Sequence, residues 1–366
     1  MFLTARIFGI FTYIFIMAIF ILLIKYIKQS QIKYILFFYL VSLCVISYCY
    51  VPYITTDLFR HNIAAKRLAE MSWYDFWYVV TKSVSGIFTL FYFRYFSNYL
   101  ATITCFIIYG MIFYIIYCSK LKINAKNVIL SVVLLWIMTN DFYLVAITTI
   151  RSHLAGIFVA YCIYREIFQH KFGPINIFLY LCAIEVHAMG IVLVAFRFIA
   201  YLLMRGELTI WKVILFPIII AIAVLGTAFY LPLLDSSVDK FERYYYYNTY
   251  DYVWERVIFI IQTIVQIYIL FKAYKYKIFK EEKFVYYKSV VTMAVVSLII
   301  CHLHVTFMQR WIFFSAILEI PILMRILQKE YSLNRTNVRN FIITTSLITF
   351  TFVCSRGNLC SLKFWE

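Results

Sequence analysis

Ile147-Thr148-Thr149-Ile150-Arg151-Ser152-His153-Leu154-Ala155 sets a guanidinium between two apolar stretches, 128–147 and 152–169. Each is close to the roughly 20 apolar residues a helix needs to cross a bilayer. Arginine stays protonated at any usable pH. Placed in or near hydrocarbon it costs a few kcal/mol or more, so it faces a cavity, a partner or a ligand. The ligand that matches a planar, forked cation is a phosphate or a carboxylate. This stretch therefore reads as a membrane protein holding an anionic, lipid-borne substrate near the membrane surface.

Composition agrees with that class. Of 366 residues, 64% are hydrophobic, 21% aromatic and only 14% charged, whereas a soluble domain is about half apolar and about a quarter charged. Leu3 to Ile24 is too long for the apolar core of a signal peptide and has no small-residue cleavage site behind it, so it reads as a first span. The net charge is +17, from 34 Lys and Arg against 17 Asp and Glu. Basic residues collected in cytoplasmic loops explain it, and no zinc-finger spacing or aromatic-basic motif argues for nucleic acid. The nine cysteines are scattered. Cys44, Cys49, Cys105, Cys118, Cys162, Cys182 and Cys301 lie in or beside apolar runs and read as small hydrophobes, while Cys354 and Cys360 can pair if the C-terminal tail is extracytoplasmic.

Apolar runs predict spans at 3–24, 34–54, 97–118, 128–147, 152–169, 175–203, 211–231, 255–273, 286–304, 308–327 and 339–354, with a shorter apolar piece at 84–93. The expected fold is an all-α integral membrane protein, a polytopic bundle of about 11 transmembrane helices forming one domain over 1–366. Basic clusters orient it. Lys25, Lys28 and Lys33, then Lys120, Lys122 and Lys126, then Lys272, Lys275, Lys277, Lys280 and Lys283, and finally Arg325, Lys329, Arg335 and Arg339 mark cytoplasmic turns. The N-terminus, 55–96, the Arg151 turn, 232–254 and the turn at 304–310 then lie outside. One region breaks the alternation, because the basic runs 165–171 and 205–212 both look cytoplasmic and a single segment, 175–203, separates them. Two half-length helices meeting near His187, a re-entrant pair, restore the count; the alternative places Arg205 outside. Irregular backbone at that depth is tolerated where protein buries it or it lines a wet cavity.

Candidate chemistry sits in the outside segments. Asp57, followed by Arg60 and His61, can position a sugar hydroxyl or act as a base, or it can cap the helix over 58–69. Asp75 follows Ser72 at capping-box spacing. The 232–254 loop carries Arg243, then Tyr244, Tyr245, Tyr246, Tyr247, Tyr250 and Tyr252. Aromatic faces stack on the C–H faces of pyranose rings, so this run reads as a glycan-binding surface, with an interfacial aromatic belt as the other reading. His187, two residues after Glu185, is either a base or donor near neutral pH or a satisfied structural histidine. Arg310, at the head of a late apolar helix, reads as a second phosphate or carboxylate contact, and His302-x-His304 is too sparse for a metal site. The chain has no Asp-x-Asp pair, Gly-rich phosphate loop, Gly-x-Ser-x-Gly elbow or Cys-x-x-Cys motif. The expectation is therefore no metal and no tightly bound cofactor.

Taken in order, Asp57 with Arg60, then Ile150-Arg151-Ser152-His153-Leu154-Ala155 followed by His187, then the Tyr-rich loop with Arg310, resemble the Wzy-type O-antigen and exopolysaccharide repeat-unit polymerases, in the EpsG-like branch. The likeness covers most of the chain in layout and a few short motifs in residues. It departs at Ser152, where that branch commonly has Gln, and at Ala188, where Ser often follows the His. The resemblance implies an inner-membrane glycosyltransferase with its active site facing the periplasm. Such an enzyme moves a growing glycan from undecaprenyl diphosphate onto a new lipid-linked repeat unit. Membrane lipids and a chain-length regulator protein are then the expected partners. Arg151, Arg310, Arg243 and Arg60 would hold the diphosphate, His187 or Asp57 would serve as base, and the Tyr244–Tyr252 stretch would hold glycan. A lipid-linked oligosaccharide flippase and a membrane acyltransferase that modifies surface glycans are the competing functions.

Overall fold

The structure, a computed structural model, describes residues 2–52, 57–82, 86–119, 126–141, 149–204, 253–301 and 305–333, and most of 335–347. Among these every regular element is helical. The helices are α1 (Phe2–Tyr26), α2 (Ile32–Cys49), α3 (Asp57–Glu70), α4 (Trp73–Lys82), α5 (Ile87–Tyr95), α6 (Leu100–Cys118) and α7 (Lys126–Asp141). They continue with α8 (Ile150–Phe168), α9 (Pro174–Val186), α10 (Ala188–Met204), α11 (Val253–Lys275), α12 (Tyr287–Cys301) and α13 (Val305–Leu333), with one further helical turn at Glu282–Val285. The expected span at 211–231, the Tyr-rich loop with Arg243, His302, His304, Cys354 and Cys360 fall outside the described residues, and 339–354 is described only in part.

Four described helices are long and apolar enough to cross a membrane: Gln29–Cys49, Leu100–Cys118, Arg256–Lys275 and Met308–Leu333. Their outward faces are apolar as well. Phe37 and Phe38 on α2, Phe106 on α6 and Ile264 and Phe271 on α11 are all more than half exposed. In water such faces would be a large unpaired hydrophobic surface, whereas in lipid they are ordinary. Polar side chains turn inward and bond locally or across helices, as hydrocarbon requires. Ser47 Oγ donates to Leu43 O at 2.8 Å and Tyr92 OH pairs with Thr104 Oγ1 at 2.8 Å.

The chain forms two compact units, 1–194 with 320–366, and 195–319. In the first, α2 packs on α6, α1 on α7, α6 on α8, α8 on α9 and α3 on α5. Buried Tyr39 stacks between Phe20, at 4.7 Å, and Phe113, at 5.5 Å. Asn127 Nδ2 donates to Ile27 O at 2.7 Å and Ser131 Oγ to Ile21 O at 3.1 Å, pinning α7 to α1. Glu166 on α8 accepts from Tyr180 OH at 2.7 Å and Asn176 Nδ2 at 3.3 Å, pinning α8 to α9. In the second unit, Gln266 of α11 accepts from Ser315 Oγ at 2.6 Å, Trp311 Nε1 donates to Ala294 O at 2.8 Å, and Phe196 packs edge-on against Trp311 and Phe314.

The 55–96 segment, read from sequence as an external loop, is built of three helices. Ser72 and Asp75 form the expected cap at the start of α4. Ser72 Oγ accepts from the Asp75 N–H at 3.1 Å and donates to Asp75 Oδ2 at 2.7 Å.

Candidate functional site

The long apolar segment at 175–203 is two helices, and the break falls at His187. Its backbone is extended, φ −158° and ψ 143°. α9, at 13 residues, is about 20 Å long and so shorter than the roughly 30 Å of a hydrocarbon core. The turn beyond it is tight. Gly190 N–H donates to His187 O at 2.7 Å, and a Cβ on Gly190 would overlap the Ala183 carbonyl. Only glycine fits there, because the turn brings residue 190 against the Ala183 carbonyl.

A broken helix exposes carbonyls at one end and amides at the other, and both must be satisfied away from water. Arg151, on the first turn of α8, donates through Nε to Val186 O at 2.7 Å and so caps α9 from a neighbouring helix. His187 caps the other side, with Nδ1 accepting the Met189 N–H at 2.9 Å. An Nδ1 that accepts leaves the neutral ring's proton on Nε2. In this arrangement Nδ1 of His187 caps the break and Nε2 carries the ring proton. Arg151 itself is set by the start of α8, where Ser152 Oγ donates to Thr149 O at 3.1 Å and His153 Nδ1 lies 2.7 Å from Thr149 Oγ1.

α3 brings further charge to Arg151. Asp57, in its first turn, pairs with Arg60 one turn on. His61, four residues after Asp57 on the same face, packs its ring 5.1 Å from Phe93 of α5. Burial pushes the His61 imidazole down to about 4; Asp57 pulls it up, and Arg151 and Arg60 push it further down. His61 is thus neutral at physiological pH and lies within electrostatic reach of Arg151, Arg60 and Asp57. Sequence reading quoted His61 without giving it a role. Its signal was the Asp57/His61 spacing, which puts both on one side of α3.

The third wall is the N-terminus of α5 against the C-terminus of α9. Thr89 Oγ1 donates to Glu185 O at 3.1 Å, and a Cβ on Gly86 would overlap Glu185. Arg94, at the other end of α5, also escaped the sequence reading. It donates to Leu68 O at 2.7 Å and Met71 O at 2.9 Å and stacks over Trp73 and Phe76 at 4.3 and 4.7 Å. Those bonds satisfy the carbonyl end of α3 and fix it against α4 and α5.

The structure therefore gathers Asp57, Arg60, His61 and Arg151 beside the break at His187, all within the first unit. Arg310 stands in the second unit, half-buried in the second turn of α13. Chemically, two guanidiniums, an imidazole donor and a carboxylate at the starts of α3 and α8 and at the α9–α10 break suit an anionic headgroup carrying hydroxyls. Comparison with protein-family models, with curated proteins and with solved structures finds no match to this chain.

Proposed function

We propose that the chain is a membrane glycosyltransferase of the polysaccharide repeat-unit polymerase type. Its substrates in this reading are glycans carried on undecaprenyl diphosphate at the outer face of the inner membrane. The observation that carries it is the Arg151 cluster: a guanidinium fixed at a helix break among membrane helices, with His61 in its electrostatic reach and the Asp57–Arg60 pair acting on the same His61. In the reaction the acceptor hydroxyl attacks the anomeric carbon of the growing chain, and the bond from that carbon to the diphosphate breaks. Asp57 takes the hydroxyl proton, and the lipid diphosphate leaves with its charge met by Arg151 and Arg60 and by the His187 Nε2–H. Cations and donors aimed at charge that develops in a dry site supply several kcal/mol of the barrier lowering. Arg310, Arg243 and the Tyr-rich stretch keep the roles the sequence suggests, as diphosphate and glycan contacts. The reaction needs neither metal nor cofactor in this scheme.

One observation also supports a flippase for the same lipid-linked sugars, because discontinuous helices are a device of transporters. The two separate in the cell. Deleting a polymerase leaves a single repeat unit on the lipid core in a polysaccharide gel, whereas deleting a flippase removes surface repeats altogether. An acyltransferase would leave a normal ladder with altered decoration. Arg151→Ala and Arg151→Lys both fail to restore the ladder, since lysine offers neither the fork nor the Nε bond to Val186. A normal ladder from Arg151→Ala at normal expression overturns the assignment.

A further inference from the structure

A cavity of about 440 Å³ opens in the first unit, on the side of α3 next to the face that bears Asp57 and His61. That volume lies within the roughly 300–1,000 Å³ of small-ligand sites. Three elements build it: the C-terminal end of α2, the helix α3, and the turn from α5 into α6. From α3 it takes Leu58, Asn62 and Lys66, spaced four apart and therefore stacked in one line along the helix. The α5–α6 turn contributes Asn98 and Tyr99, the first turn of α6 contributes Thr102, and α2 contributes Tyr48. Tyr48 and Tyr99 are stacked on each other at 5.8 Å with an interplanar angle of 18°, and each is half exposed.

We propose that this cavity binds one or two pyranose rings of the lipid-linked glycan. The chemistry is that of a carbohydrate site and not of an acyl chain or a diphosphate. Amides that both donate and accept, Asn62 and Asn98, match vicinal hydroxyls, and the Thr102 hydroxyl adds a third group of the same kind. An exposed pair of parallel aromatic rings offers a flat apolar surface for the C–H face of a sugar. Lys66 alone brings charge, which suits a sugar hydroxyl or a uronic carboxylate and falls short of the forked set a diphosphate takes. The cavity shares α3 with the Arg151 cluster, so one helix presents a line of sugar contacts and, about 100° round its axis, the Asp57/His61 line. This subsite rests on the polymerase reading for the identity of its sugar, and its geometry is separate from the residues that carry that reading.

The test is saturation-transfer NMR on the full chain in nanodiscs. One probe is the free oligosaccharide repeat unit hydrolysed from the source cell's own polysaccharide, and the other is a sugar-free isoprenyl diphosphate. The sugar signal should weaken about fivefold, as for one lost hydrogen bond, in Asn62→Ala. It should weaken similarly in Tyr99→Ala and survive in Tyr99→Phe, which keeps the stacking face. Ala101→Trp, which fills the cavity from its wall and deletes no polar group, should abolish it. None of these changes should alter the diphosphate signal, which Arg151→Ala should remove. A sugar signal absent from the wild type, or equal across the four variants, overturns the subsite while leaving the diphosphate reading to stand on its own arm. A diphosphate signal lost in Asn62→Ala and Ala101→Trp assigns the cavity to the headgroup and overturns it too. A sugar signal lost only at the cavity, with no diphosphate binding in the wild type, supports the subsite and refutes the polymerase chemistry assigned to Arg151.

Discussion

Arg151 is bonded to a carbonyl 35 residues away in sequence, and nothing in the one-dimensional chain marks Val186 as its partner. The cost of burying a guanidinium was legible from Ile150-Arg151-Ser152, but not what meets that cost, because a backbone acceptor has no sequence signature. His61 was hidden for a related reason: its character comes from Phe93, Arg151 and Arg60 and not from its own neighbours. With its folded pKa near 4, below the ordinary 6.5 or so, the unfolded chain takes the proton first as pH falls. The stabilising contribution is complete above about pH 6.5 and is lost as the pH drops from there toward 4. Thermal unfolding in detergent should show the wild type losing stability between pH 7 and 5, with a flatter profile in His61→Asn; parallel profiles would contradict the burial of His61. A second buried group makes the opposite point. Glu319 is fully buried in α13 and neither carboxylate oxygen has a hydrogen-bond partner among the described residues. A carboxyl group removed from water without a partner lowers stability. Glu319→Leu should therefore leave the unfolding free energy unchanged or raise it by roughly 1–4 kcal/mol. A drop of more than about 1 kcal/mol on the same measurement would show that the carboxyl group has a hydrogen-bond partner.

At the scale of elements, the long helices were readable from apolar runs alone. Two basic clusters on the same predicted side of a single apolar segment gave an interruption near His187 as one reading and Arg205 outside as the other, and the structure ends the helix at His187. Inside 55–96 the cap residues Asp57 and Ser72 with Asp75 already marked helices over 58–69 and after 72, although α3 is too polar to stand out in hydropathy. What orders it is Arg94, which bonds two carbonyls at its end from 23 and 26 residues on. The joint between α9 and α10 depends on Gly190, where an added methyl meets the Ala183 carbonyl. Gly190→Ala should cost on the order of 1–3 kcal/mol, the range for overpacking, and reduce the polysaccharide ladder along with the midpoint of unfolding. An unchanged midpoint would mean that the turn is looser than the structure shows.

For the whole molecule, composition settled the class before any element was placed, and the exposed phenylalanines and isoleucines of α2, α6 and α11 are its structural counterpart. Which residues gather at one site was not legible, since that follows from the packing of α3 and α9 on α5 and of α8 on α9. The lysines predict an orientation that a fusion experiment can test. Alkaline phosphatase fused after Lys122 or Lys329 should be inactive, and fused within 55–96 or 232–254 it should be active. The reverse pattern would turn the Arg151 cluster to the cytoplasm and remove it from any role in surface polymer assembly.

The bond from Arg151 to Val186 has one more consequence, for turnover. A catalyst that adds units to a chain has to discharge its leaving group as readily as it stabilises it. Arg151 has a standing second commitment, to the carbonyl that ends α9. Any anion that draws the guanidinium away uncaps that helix, and the uncapped helix pulls it back. In the proposed polymerase that shared commitment would act as a return spring on the anion site and limit how tightly the spent carrier is retained.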